Sequence, residues 1–154
     1  MADVSVTREI AAEPEVVWDL LSDLPRMGER SPENRGGRWK GGATGPRVGA
    51  RFVGENSNGE RSWTTVARVT EAVRGASFEF DVKALKVIPI ARWRYDVVPT
   101  ETGCVVTERW TDRRPGWFEP LGAKLTGVAD RVEHSRDSMR RTLDALAAEA
   151  EAIG

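Results

Sequence analysis

The strongest constraint on this chain is its last stretch, from about Pro120 to Ile153. Leu121, Leu125, Val128, Val132, Met139, Leu143, Leu146, Ala150 and Ile153 recur mostly at steps of three and four, the spacing of one apolar stripe on a helix. Charged residues, among them Arg131, Glu133, Arg136, Asp137, Arg140, Arg141, Asp144, Glu149 and Glu151, fill most of the remaining positions. At about 1.5 Å per residue such a helix would run about 50 Å. Gly122 and Gly127 predict a bend or break in its first third. A stripe that long needs a broad apolar surface to cover, and the preceding residues supply strands.

Val4, Val6 and Arg8 alternate with Ser5, Thr7 and Glu9 before Ile10, so residues 3–10 read as a strand. Pro14 suits the first position of a helix, and Val17, Leu20, Leu21 and Leu24 give it an apolar face that Pro25 closes. Residues 26–34 read as loop or a further short helical turn. Two glycine-punctuated strands follow near 35–41 and 49–56, with turns at Gly45-Pro46 and at Ser57-Asn58-Gly59. Trp63, Thr65, Ala67 and Val69 then share one face of a strand. After Gly75, Phe78, Phe80 and Val82 do the same, as do Trp93, Tyr95 and Val97. Beyond the turn at Thr102-Gly103, Cys104, Val106, Glu108 and Trp110 alternate with Val105, Thr107, Arg109 and Thr111. Hairpin-linked strands of this kind predict an antiparallel sheet, apolar on one face and wet on the other. The expected fold is α+β: a curved sheet of about six or seven strands wrapped on the long C-terminal helix, with one or two short helices after the first strand.

At 154 residues, with no repeat, low-complexity run or linker, the chain reads as one domain, 1–154. Its 31% charged residues and formal net charge of −1 describe a globular protein and give no footprint for nucleic acid. No signal peptide and no stretch of apolar residues long enough to span a bilayer is expected. The single cysteine, Cys104, rules out an internal disulfide and suits a reducing cytoplasm. Neither a monomer nor a dimer is excluded.

The segments Ile10-Ala11-Ala12-Glu13-Pro14-Glu15-Val16-Val17-Trp18-Asp19-Leu20-Leu21-Ser22-Asp23 and Ser31-Pro32-Glu33-Asn34 carry a family resemblance. So do Gly36-Gly37-Arg38-Trp39, Val48-Gly49-Ala50-Arg51-Phe52 and Thr107-Glu108-Arg109-Trp110-Thr111-Asp112. Over essentially its whole length the chain resembles the helix-grip superfamily called SRPBCC or START-like, and within it the bacterial polyketide cyclase/dehydrase-like members. Arg30 departs from the pattern, standing where many relatives have tryptophan. The resemblance implies an apolar ligand held between sheet and last helix. It leaves the chemistry open, because the superfamily includes carriers, cyclases, hydrolases and co-chaperone-like proteins.

Six tryptophans against one tyrosine must fill a core or line something. Trp63, Phe78, Phe80, Trp93, Tyr95 and Trp110 fall on the inferred concave face, Trp39 and Phe52 join them, and Val132 and Met139 of the helix would face them. Any one of these rings is ordinarily core; as a set they are candidate walls for a small hydrophobic guest. Glu108 is the most informative residue, because alternation puts a carboxylate on the apolar face, where it must be paired, wet or protonated. Its ordinary fate is an arginine partner near the sheet edge or contact with water, and a one-residue bulge would turn it outward. Functionally it would anchor a ligand hydroxyl or act as a general base with a raised pKa, with Tyr95 as donor.

His134, the only histidine, reads as a surface or rim residue, and Cys104 as a small hydrophobe. No zinc site, acyl-transfer triad, phosphate loop or dinucleotide fingerprint is visible, so neither metal nor cofactor is expected. Arg35, Arg38, Lys40, Arg47 and Arg51 are explained by a solvated edge. Three functions follow: a binder of a lipid or polyketide-like molecule, a cyclase or dehydratase acting in the same space, and a protein–protein adaptor using Trp117, Phe118 and the 25–34 loop.

Overall fold

The computed structural model describes residues 3–29, 34–41, 45–57, 62–84, 87–114 and 131–153. Residues 115–130, with Trp117 and Phe118, lie outside them, as do residues 30–33 and the side chains of Trp63, Val132 and His134.

Strand β1 (Asp3–Ile10) is followed by helix α1 (Pro14–Leu21) and a 3-10 helix (Leu24–Glu29). Then come β2 (Asn34–Trp39), β3 (Arg51–Ser57), β4 (Ser62–Val73), β5 (Ser77–Ala84), β6 (Ile88–Thr100), β7 (Gly103–Asp112) and helix α2 (Arg131–Ile153). All pairings are antiparallel in one seven-stranded sheet of order β1-β7-β6-β5-β4-β3-β2. Strands β2 to β7 are a meander, and β1 closes onto the last of them. The two short helical segments therefore carry the chain from one edge of the sheet to the other. This is the helix-grip α+β arrangement expected from the sequence.

The first helix is shorter than its apolar pattern predicts. It stops at Leu21, where the Ser22 amide donates to Trp18 O at 3.0 Å, and Leu24 opens the 3-10 helix instead. Pro25, second in that helix, needs no donor there, so it starts a turn rather than ending one. Leu24 is buried all the same. Strand β4 runs three residues past the last clear alternation because a register shift between Val69 and Glu71 breaks the period. Further shifts occur in β2–β3 and at Val82/Lys83 in β5–β6. Such irregularities bend a sheet, which a surface curving under a helix requires.

On α2 the inward positions are Ser138, Met139, Thr142, Leu143, Leu146, Ala147 and Ala150. Thr142 Oγ1 donates to Ser138 O at 2.8 Å, which satisfies the hydroxyl within the helix. Ile153, the last member of the predicted stripe, is exposed. The helix packs mainly on β1, and also on α1 and β7. It is tied to β1 by Arg8 Nη1 to Asp144 Oδ1 at 2.7 Å, and to the residue just after that strand by the Ala11 amide to Glu151 Oε2 at 3.0 Å. Trp18 of α1 sets its ring edge against Phe78 and donates its indole N–H to Ser77 O at 2.8 Å.

The opposite face of the sheet is charged. Arg92 grips Asp81 through two bonds of 2.6 and 2.9 Å, and Arg94 reaches Asp96, Glu79 and Glu71. The Arg92 guanidinium holds the Asp81 carboxyl below the usual carboxylate range. Among the described residues, no helix is long and apolar enough to cross a membrane.

Candidate functional site

Strand register arranges the inner face in rows. Trp39, Phe52, Ala67, Val82, Ala91 and Asp112 are successive partners across the sheet. Val69, Phe80, Trp93, Trp110 and Val4 form the next row, and Ala72, Phe78, Tyr95, Glu108 and Val6 the one after. Apart from Trp63, the aromatic residues singled out by alternation thus fall in three adjacent rows of one surface. Trp93 and Trp110 lie 6.5 Å apart at 46°, and Trp39 meets Phe52 edge-on at 5.3 Å. Phe78, Phe52, Phe80, Tyr95 and Trp110 are buried, as is Met139 on the helix. Trp39, Ala72, Trp93 and Val6 also point inward but remain partly exposed. The backbone of Trp63 pairs with Asn56.

Glu108 sits in the middle of this surface and is 2% exposed. Strand β7 is paired without a register shift to β1 on one side and to β6 on the other, so no bulge turns the residue outward. Among the described residues it has no arginine partner, and its burial keeps it from bulk solvent. The Tyr95 hydroxyl, directly opposite, donates to Oε2 at 2.9 Å. Among the described residues Oε1 has no hydrogen-bond partner although it is fully buried.

The neighbouring inner-face charges are engaged elsewhere. Asp112 is held by Arg114 through bonds of 2.9 and 2.7 Å, and Arg8 turns its Nη1 to Asp144 while its buried Nε has no partner among the described residues. Burial among apolar groups pushes the Glu108 carboxyl up to about 8, against the opposing pull of the Tyr95 bond. Near neutral pH it is therefore mainly a carboxylic acid, a donor of hydrogen bonds or protons before it is a base. Cys104 is buried two rows away, and burial raises its thiol as well.

Asp112 and Arg114 were not among the candidates read from sequence, yet the alternation that places Glu108 and Trp110 inward reaches Asp112 two residues later. This pair is nearly inaccessible, each side chain being 8% exposed, with the two groups bound to each other. Among the described residues no three His, Cys, Asp or Glu side chains converge as metal ligands.

Residues 1–151 match the family model described as polyketide cyclase / dehydrase and lipid transport. A polyketide-cyclase-like protein of Corynebacterium glutamicum, solved by NMR, is 30% identical, with 94% of this chain and 88% of that one covered at a TM-score of 0.63. The di-domain ARO/CYC protein StfQ from the steffimycin biosynthetic pathway superposes at a TM-score of 0.75 with 17% identity, over 97% of this chain and 50% of that one. The major latex-like protein 151 of Panax ginseng superposes at 0.69 with 13% identity, over 97% of each chain. No curated protein is detectably similar in sequence.

Proposed function

The chain belongs to the polyketide cyclase / dehydrase and lipid transport family, and from that premise we propose that it binds a small hydrophobic molecule, lipid or polyketide-like, between the sheet and the C-terminal helix. One observation carries this reading. Aromatic rings cover the inner face in adjacent rows around a buried polar pair, yet Trp93 and Val6, like Trp39 and Ala72 of the same rows, keep contact with solvent. In a sheet fully sealed by its helix, an inward tryptophan would be covered. A ligand site needs this combination of apolar wall, few placed polar groups and a way in.

Thermal-shift and native mass-spectrometry measurements against a panel of lipids and aromatic ketides test the reading. Stabilisation by at least one class, with a one-to-one complex in the mass spectrum, is expected. No shift and no complex with any of them would remove it.

A cyclase or dehydratase acting in the same space is the second reading, favoured by the contact of two titratable groups, Glu108 and Tyr95, inside an apolar surface. Such an enzyme would fold the substrate chain by confinement and move protons through these two groups. It requires that Glu108→Gln abolish turnover of a poly-ketone substrate while the melting transition persists. Unchanged turnover in that variant excludes it.

A further inference from the structure

Within the ligand-binding reading, on which this step rests, the orientation of the Glu108 carboxyl specifies what the guest must offer. We infer that Glu108 is the specificity-determining group of the site, donating a hydrogen bond from Oε1 to a neutral carbonyl oxygen of the guest, as in a ketone, quinone or ester.

The geometry assigns the two carboxyl oxygens different roles. Oε2 accepts from the Tyr95 hydroxyl, the part a carbonyl-type oxygen plays, which leaves the acid proton to Oε1. Oε1 is buried and has no partner among the described residues. On either side of Glu108 along β7 lie Val106 and Trp110, and across from it on β1 lies Val6. Valine side chains accept nothing, and indole only donates. An orphan donor in such surroundings is destabilising, and a guest carbonyl at Oε1 removes that cost.

Charged guests fit less well. An ammonium group would require an ionised Glu108 in surroundings that keep it protonated. A carboxylate guest would need a free cation, and the nearby inner-face arginines are already ion-paired, Arg114 with Asp112 and Arg8 through Nη1 with Asp144, although the buried Nε of Arg8 has no partner among the described residues. On α2 the described inward side chains, Ser138, Met139, Thr142, Leu143, Leu146, Ala147 and Ala150, include no titratable group. Tyr95 is the titratable group on β6 that touches Glu108. The charge state of the site over the range in question is therefore that of Glu108.

Three probes of one shape test this: 2-ethylnaphthalene, 2-acetylnaphthalene and 2-(1-aminoethyl)naphthalene, titrated into the intact chain at pH 6.5 and 9.5 with tryptophan fluorescence as readout. The acetyl compound should bind about tenfold more tightly than the ethyl compound at pH 6.5, and the advantage should disappear at pH 9.5 as Glu108 ionises. Glu108→Leu should still bind the ethyl compound but lose the preference. Glu108→Gln, whose amide N–H donates at both pH values, should keep it at both. Equal binding of ethyl and acetyl probes would overturn the inference and leave the ligand-binding reading standing. Preference for the amine at pH 6.5 would also overturn it, in favour of a Glu108 already ionised there. Binding of none of the three would remove inference and reading together.

Discussion

Tyr95 and Glu108 stand directly opposite each other in the pairing of β6 with β7, and the tyrosine hydroxyl donates to Glu108 Oε2 at 2.9 Å. The pairing fixes this contact from the backbone upward. A slip of one residue in β7 would turn Glu108 to the charged face and put Thr107 or Arg109 inside, but unbroken ladders to β1 and β6 prevent it. The sheet thus holds a carboxyl group where the hydrophobic effect alone would place a leucine or valine. Retaining so unfavourable a group in the apolar face points to a task beyond folding.

Replacing Tyr95 by Phe keeps the ring and removes the only described donor to Glu108. Oε2 then loses its partner in a buried site, and stability should fall by about 1–2 kcal/mol. The Tyr95 bond favours the ionised carboxyl, so its loss should raise the Glu108 pKa above the wild-type value of about 8. Chemical denaturation gives the first quantity, and carboxyl carbon NMR titration of Glu108 gives the second. A pKa that falls in the variant would contradict this account.

Gly103 begins β7 where the chain leaving β1 passes closest. A Cβ there would come 2.2 Å from Ile10 O, 2.8 Å from the Ala12 N and 2.9 Å from the Ala11 Cα. All three obstacles are backbone, so no side-chain rotation relieves them. Gly103→Ala should cost roughly 2–3 kcal/mol. The analogous change at Gly45, which meets no atom within 4 Å, should cost far less. Comparable melting temperatures for the two variants would show that β1 and β7 can separate at that end.

The helix is held by its inward side chains, and Leu146 is among the most buried of them at 1% exposure. Leu146→Ala should cost about 2–5 kcal/mol through lost burial and an unfilled space. Ile153→Ala, at a position of the same apolar stripe that is 61% exposed, should change stability by no more than about 0.5 kcal/mol. Urea denaturation of the two variants checks the contrast.

Those two residues also mark how far sequence reasoning reaches. Periodicity identifies the stripe on α2 but does not show where the sheet beneath it ends, so Ile153 and Leu146 look alike in the sequence. Alternation puts Glu108 inside because period two is unbroken through β7. It does not reveal that the Tyr95 hydroxyl meets the carboxyl, because partnership across strands depends on register, and the turn that sets it lies at Glu101-Thr102, one residue before the expected Thr102-Gly103. At Leu24 local propensity fails for a different reason: its apolar side chain is buried as expected, while the backbone changes from α1 to a 3-10 turn. In β4 the register shift after Val69 breaks the pattern, so the strand's last residues are visible only in the fold.

The pH dependence of stability isolates Glu108 itself. Its carboxyl has an ordinary value of 4.5 and rises to about 8 in the folded chain, chiefly through burial. Between these values the folded state keeps a proton that the unfolded chain releases, so stability must fall as pH rises through the window. The decrease contributed by this residue is at most about 1.4 kcal/mol per pH unit and is complete once pH exceeds the folded value. Asp81 works in the opposite direction, its value being depressed by Arg92, but its contribution is already present above the ordinary carboxylate range and is lost only on acidification. Glu108→Gln has no proton to lose. Relative to wild type, the variant should therefore gain stability steadily from pH 5 to pH 9, by on the order of a few kcal/mol in total. Parallel stability profiles for the two proteins over that range would mean that the buried carboxyl does not titrate as its surroundings dictate.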